Sequence, residues 1–357
     1  MGKLQSILMS AAVSFILFAT ASCDSIYDNE LDCSTKIKFV FKKHRQALQS
    51  VNGKVANVFD TTVETVHLFI YDAESGELVF EQFTTTNHLK TESELNIGTG
   101  SERCYLPVNL EAGDYHIVAW CGLHEDDQSN AFMLHEEGTR SGYAACSVKR
   151  SEQTGMPVHE EKYEGLYQGM VARVSVNDNG TTVIPVELTK NTNDIAVWVQ
   201  HASMTFAEGD YEVVYTDANG TMNFEDNRLM QEEDVLEYRP YATSLLTSST
   251  EYNGSLVEAG ALVAHISTAR LMAAHQKDAR LEVRNREGNT VFSIPFIQYL
   301  LEMQTFTSDG QYYLDCEDTY QCSFYLTGEN GLWTPARIII NNWVRVPDQI
   351  GSISGGS

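Results

Sequence analysis

The chain is 357 residues long, has 49 acidic against 24 basic side chains, and carries a formal charge of −25. Its 43% hydrophobic and 10% aromatic content supplies a sizeable buried core, which excludes a natively unfolded chain, and the length suits two domains. The charge excludes nucleic acid and anionic lipid headgroups as direct ligands, since both are polyanions. It is spread along the chain with no acidic tail, so it reads as solubility outside the cell.

Residues 1–22 read as a signal peptide. Lys3 precedes an apolar run from Ile7 to Ala21, and Thr20-Ala21-Ser22 places small residues directly before Cys23. A cysteine at the cut is the mark of a bacterial lipoprotein. Its thiol would carry diacylglycerol and its new amine an acyl chain, the one covalent group expected here, with no other cofactor. A spanning helix is the alternative, but the run is shorter than the ~20 residues such a helix needs. No basic stop-transfer cluster follows it. Three acyl chains would make the attachment effectively permanent, where a single chain binds only marginally.

The rest of the chain reads as strands. Lys36–Phe41 alternates, with Ile37, Phe39 and Phe41 on one face. Val63–Tyr71 and Glu77–Phe83 flank a short turn containing Gly76 and read as a hairpin. Arg103–Leu110 and Tyr115–Cys121 follow around Gly113. From Gly122 to Tyr163 periodicity fades, and the segment reads as a surface excursion with short helices. Its acidic run, His124–Asn130, lacks the spaced ligands and turn glycine of a calcium loop. Strands resume at Gly169–Val176 and Thr181–Leu188 around an Asn179-Gly180 turn, and the polar junction Thr189–Asp194 predicts a domain boundary near residue 190.

The second half repeats this grammar at Ile195–Val199, Tyr211–Thr221, Gly260–Ser267, Arg280–Asn285 and Thr290–Pro295. Phe296–Leu301 suits a short helix equally well. Gly310–Leu314 and Ser323–Leu326 read as strands, and Ile338–Ile340 as the last core strand. The fold class is therefore all-β: two tandem β-sandwich domains, 23–190 and 191–357, after the signal peptide.

Besides Cys23 there are Cys33, Cys104, Cys121, Cys146, Cys316 and Cys322, an even number that in an exported chain predicts disulfides. Cys316 and Cys322, between two strand-like runs, are the local candidate pair. The remaining four would pair among themselves, with connectivity open. No CxxC, HxxxH or HExxH motif is present, so no metal site is indicated. There is no GxSxG elbow, Walker loop or dinucleotide fingerprint, so no enzyme is indicated. His67 and His116 sit among apolar residues and read as structural. Asn179, Asn219 and Asn253 match glycan acceptors in sequence but read as turns.

Cys23-Asp24-Ser25-Ile26-Tyr27-Asp28, Cys33 and the strand after it, Ala119-Trp120-Cys121-Gly122, Val186-Glu187-Leu188-Thr189-Lys190, Trp333 and Ile338–Trp343 together resemble the FimB-type minor fimbrium anchoring subunits, outer-membrane lipoproteins of Bacteroidales. Lys190 stands where those proteins usually carry arginine. The resemblance implies two transthyretin-like, immunoglobulin-like sandwich domains and a lipid-anchored position in the outer membrane at the base of a type V pilus. It also implies a fimbrial shaft subunit (fimbrillin) as partner, joined by strand complementation. Shaft subunits lose their first strand to cleavage after an arginine, whereas an anchor keeps it. Here the retained strand would carry Ile37, Phe39 and Phe41, and Arg45 is the nearest downstream arginine. A disulfide from Cys33 would hold residues 23–45 in place even after a cut there. The alternative reading is a surface adhesin whose aromatic residues bind a glycan or a host protein.

Overall fold

The computed structural model describes residues 35–41, 48–51, 54–126, 131–134, 145–153, 155–178, 180–201, 205–223, 235–252, 255–302, 309–327, 333–341 and 343–345. The strands of the first half are β1 (Thr35–Phe41), β2 (Leu48–Val51), β3 (Lys54–Asn57), β4 (Thr65–Asp72), β5 (Leu78–Thr85), β6 (Tyr105–Val108), β7 (Gly113–Cys121), β8 (Phe132–Leu134), β9 (Ala145–Val148), β10 (Ser151–Gln153), β11 (Met156–His159), β12 (Tyr167–Val176) and β13 (Thr182–Lys190). Those of the second half are β14 (Thr192–His201), β15 (Tyr211–Asp217), β16 (Thr221–Asn223), β17 (Leu236–Tyr238), β18 (Ala242–Tyr252), β19 (Ser255–Ala269), β20 (Arg280–Asn285), β21 (Thr290–Pro295), β22 (Thr319–Thr327), β23 (Thr334–Ile340) and β24 (Trp343–Arg345). Three short helices join them: α1 (Phe59–Thr62), α2 (Phe296–Glu302) and α3 (Gly310–Cys316).

A seven-stranded sheet runs in the order β5-β4-β7-β12-β13-β1-β6. β12 meets β13 over only Tyr167–Gly169, while β13 pairs with β1 over all of Thr182–Leu188. The sheet folds over at that short contact, and both flanks send side chains into one core. Ile37, Phe39 and Phe41 meet Val66, Leu68, Ile70, Ile117, Ala119, Ile184, Val186 and Leu188 there. Gly169 stands at the corner. A Cβ added to it would lie 2.5 Å from Val186 Cγ1 and 3.0 Å from the Glu187 carbonyl oxygen, so only glycine fits.

Two six-stranded sheets form the second sandwich: β10-β11-β17-β15-β20-β21 and β18-β19-β14-β22-β23-β24. Their facing residues share one core, in which Phe292 packs on Phe324 and Phe296 on Tyr320. Inward alternation along β22 (Tyr320, Cys322, Phe324, Leu326) and β23 (Ile338, Ile340) makes both core strands, as periodicity predicts.

The segment read as a solvated excursion differs from expectation. It contains β8–β11, with Phe132, Cys146, Val148 and Val158 buried. β9 pairs with β16, and β11 pairs in parallel with β17. These strands are three or four residues long, too short for a periodic signal. They cover the second face of the seven-stranded sheet, where Phe69, Tyr71, Val118 and Trp120 join the larger core.

The expected local disulfide is not seen: Cys316 and Cys322 are not joined to each other. Gly310–Cys316 is a helix capped by Asp309, whose carboxylate accepts from the Gln311 and Tyr312 amides. Cys322 lies mid-strand in β22. Cys104, Cys121, Cys146, Cys316 and Cys322 are all buried thiols, with no disulfide joining any two of them. Alkylation of the unreduced, unfolded protein should label all five, and peptide mapping that found any two of them linked would contradict the fold. Gly169→Ala should destabilise by about 1–3 kcal/mol through forced displacement of β13, read as a lowered melting temperature.

Candidate functional site

The residues singled out in sequence converge on β1. Its alternation puts Ile37 and Phe39 at 0% and Phe41 at 5% exposure. Phe39 stacks on Phe59 of α1 with ring centroids 5.5 Å apart, and Phe41 meets Phe59 at 5.9 Å and Tyr167 at 5.1 Å. Its backbone is occupied on both sides. Seven residues pair in parallel with β13, four pair antiparallel with β6, and the Phe39 amide donates to the Cys104 carbonyl at 2.9 Å. Burying three such side chains contributes roughly 5–9 kcal/mol. That is comparable with the about 5–15 kcal/mol of net stability typical of a domain, so losing this strand would destabilise its half severely.

The outward side of β1 is clasped by the segment after β5. Lys38 Nζ lies 3.5 Å from Glu92 Oε1 and sits 5.1 Å over the Tyr105 ring. The Tyr105 hydroxyl donates to Glu92 Oε1 at 2.7 Å, and the Gly100 amide donates to Glu92 Oε2 at 3.1 Å. The tyrosine bond above all, then the Gly100 amide and Lys38, hold the Glu92 carboxyl below its ordinary range. Burial opposes the charge on Lys38, but Tyr105, Cys104 and Glu92 outweigh it and raise its pKa. Arg103 completes the clasp: it donates to Glu94 at 2.9 Å and to the Leu89 carbonyl at 2.8 Å, while its amide donates to Asp60. Phe59, Glu92 and Tyr105 were not legible as site residues. They come from three separate segments, α1, the stretch after β5, and β6, and only the tertiary fold brings them together on β1.

Cys23, Cys33 and Arg45 lie outside the described residues. Cys104 and Cys121 belong to the core that holds β1, while Cys146 and Cys322 belong to the second. Burial raises the Cys104 thiol to about 12 and the Cys121, Cys146 and Cys322 thiols further. None of them is a ready nucleophile at neutral pH.

Elsewhere, Lys190 at the junction donates to Asp318 at 2.6 Å, which pins the linker to the second sandwich. Asn219 is fully buried: it accepts from the Tyr238 hydroxyl and donates to the Ala269 and Arg270 carbonyls, which excludes it as a glycan acceptor in the folded protein. His67 bonds Glu81 at 2.9 Å and His116 bonds the Ala172 carbonyl at 3.1 Å, both structural contacts. Among tyrosines with described exposure, only Tyr312 is exposed, at 45%. An array of sugar-stacking tyrosines is thus not present there. Among the described residues, no three His, Cys, Asp or Glu side chains converge on a common metal position.

No curated protein matches the chain in sequence. Solved structures share its fold. A Bacteroides thetaiotaomicron protein provisionally named as polysaccharide-binding has TM-score 0.66 and 22% identity, and the match covers 88% of this chain and 98% of that one. A protein of the same species, provisionally named an adhesin, has TM-score 0.64 and 24% identity over 88% and 97% of the two chains. The fimbrial anchor protein Mfa2 of Porphyromonas gingivalis has TM-score 0.57 and 16% identity over 87% and 98%. The family model of the fimbrillin-A associated anchor proteins Mfa1 and Mfa2 matches residues 29–346, and the chain, with its first strand in place, belongs to that family.

Proposed function

We propose that this chain is a non-enzymatic outer-membrane lipoprotein that holds a fimbrial shaft to the cell surface and limits its length. Cys23 would be the acylated residue, and 23–190 and 191–357 would be two tandem domains. The partner would be a shaft subunit engaged by strand complementation. The observation that carries this reading is the occupied position of β1. With Ile37, Phe39 and Phe41 in the core and both edges of the strand bonded, the first-strand position is already filled and is closed to an incoming donor strand. Such a subunit ends a chain of complementation and does not extend it.

The same contacts supply a hold that needs no disulfide. A cut after Arg45 would leave residues 23–45 attached through β1, by the burial of three core side chains and two hydrogen-bonded edges. Each half also has a strand between a parallel and an antiparallel neighbour: β1 between β13 and β6, and β14 between β22 and β19. This supports the tandem division.

Deleting the gene should release pili into the medium or lengthen them, read by electron microscopy. Mass spectrometry of the mature surface protein should find a triacylated peptide beginning at Cys23. A lipid-free species beginning at Gln46 with no lipidated 23–45 fragment accompanying it would sink the reading.

The clasp has a pH signature. The lowered Glu92 pKa contributes stability that is present above its unfolded value, near 4.5, and lost as pH falls through its folded value. The raised Lys38 pKa contributes stability present below about 10.5 and lost as pH rises through its folded value. The melting temperature of Glu92→Gln should therefore lie below wild type at pH 7, with the difference vanishing as pH drops well below 4.5. A difference independent of pH would show that the carboxylate charge plays no part.

A further inference from the structure

The edges of the described sheets are guarded, with one exception. β6, an edge of the folded sheet, has four residues and contains Pro107. β5, the other edge, carries Glu81 and a register shift against β4. β10 and β24 have three residues each, as do β8 and β16. β21 ends in Pro295 and has a register shift against β20. Short length, proline, charge and irregularity are the devices by which native sheets avoid edge-to-edge pairing.

β18 is guarded less than these, its one charged residue being Glu251 next to its end. It has eleven residues in unbroken antiparallel register with β19, and among the described residues no strand lies on its other side. Ala242–Thr250 contains no charged residue and no proline, in a chain of formal charge −25. Ala242 through Thr247 are all exposed, so neither face of the strand is covered. Leu245 and Leu246, at 37% and 47% exposure, are neighbours in the strand and so point to opposite faces. The hairpin also outruns its sheet. β14 pairs with β19 only over Gly260–Ala269, so the pairs from Ser248↔Ala259 to Tyr252↔Ser255 have no third strand. At Gly260 the arm passes the sandwich wall, where an added Cβ would lie 2.8 Å from the Thr205 Cα.

We propose that the free edge of β18 is a docking seat for an extended segment of a fimbrial subunit, which adds to this sheet as a further strand. Unpaired backbone groups select an extended chain, and the two exposed leucines select apolar residues on both faces of it. The net charge argues for a partner other than a second copy. Two bodies of −25 repel, whereas a less acidic chain meets an uncharged edge without penalty. This inference rests on the anchoring function proposed above and locates its contact with the shaft outside the first-strand position.

A photo-crosslinking amino acid at Leu245 of the full-length protein, in cells that assemble pili, tests it. Irradiation should give an adduct containing a fimbrial-subunit peptide, identified by mass spectrometry. Leu246→Lys should lower its yield at least tenfold, while circular dichroism and melting of the purified variant stay unchanged. No adduct, adducts between two copies of this chain only, or a yield indifferent to Leu246→Lys would overturn the proposal. Gene deletion separates the two failures. Released or lengthened pili without an adduct at Leu245 would sink the edge and leave the anchor standing. An adduct with pili unaffected by deletion would keep the edge as a docking seat and sink the anchor.

Discussion

A strand inside a sheet is held by constraints that act together. Its amides and carbonyls are bonded on two sides, its inward side chains fill the core, and removing it uncovers both neighbours. β1 is in this position, between β13 and β6, with Ile37, Phe39 and Phe41 inward. A buried backbone group without a partner costs about as much as a lost hydrogen bond. The strand therefore stays as long as its half of the molecule is folded. The parallel pairing with β13 also ties the start of the half to its end, so the sheet folds over and closes one core around the first strand.

The two halves are mechanically joined by more than a linker. β4 and β7 are buried on both faces: Leu68, Ile70, Ile117 and Ala119 face the first core, and Phe69, Tyr71, Val118 and Trp120 face the second. Strands from the first half complete sheets of the second, and Lys190 is bonded to Asp318 across the junction. The second core is braced by buried polar pairs. Arg270 meets Asp315 through two bonds, at 2.8 and 2.7 Å, and Asp217 accepts from the Tyr215 hydroxyl while contacting His275. Breaking such a pair on one side leaves an uncompensated charge in a dry interior, so these groups act as rigid braces.

Much of the fold was legible because strand alternation is a local property. Ile37, Phe39 and Phe41 face one core as their spacing predicts, and Ile338 and Ile340 face the other. Where local pattern was weak, the reading missed. β8 to β11 are too short to show alternation, and β9 and β11 take partners about 74–79 positions away. Gly310–Cys316 carries two tyrosines and a leucine that suit a strand, yet the Asp309 cap and packing against the second core make it a helix. The cysteines misled for a related reason. An even count in an exported chain suggests bridges, but thiols buried in two separate cores are small apolar residues there.

By itself the sequence determined the class of protein: all-β, acidic, and with a first strand whose inward face is Ile37, Phe39 and Phe41. Composition and alternation suffice for these, because each depends on a few neighbouring residues. Only the tertiary structure decided what those residues do together. It placed β1 between two partners, laid the Glu92 clasp over it, buried five thiols without joining any two, and left β18 as the least guarded edge among those described. These are properties of pairing between distant segments, and pairing is set by how whole faces bury against one another.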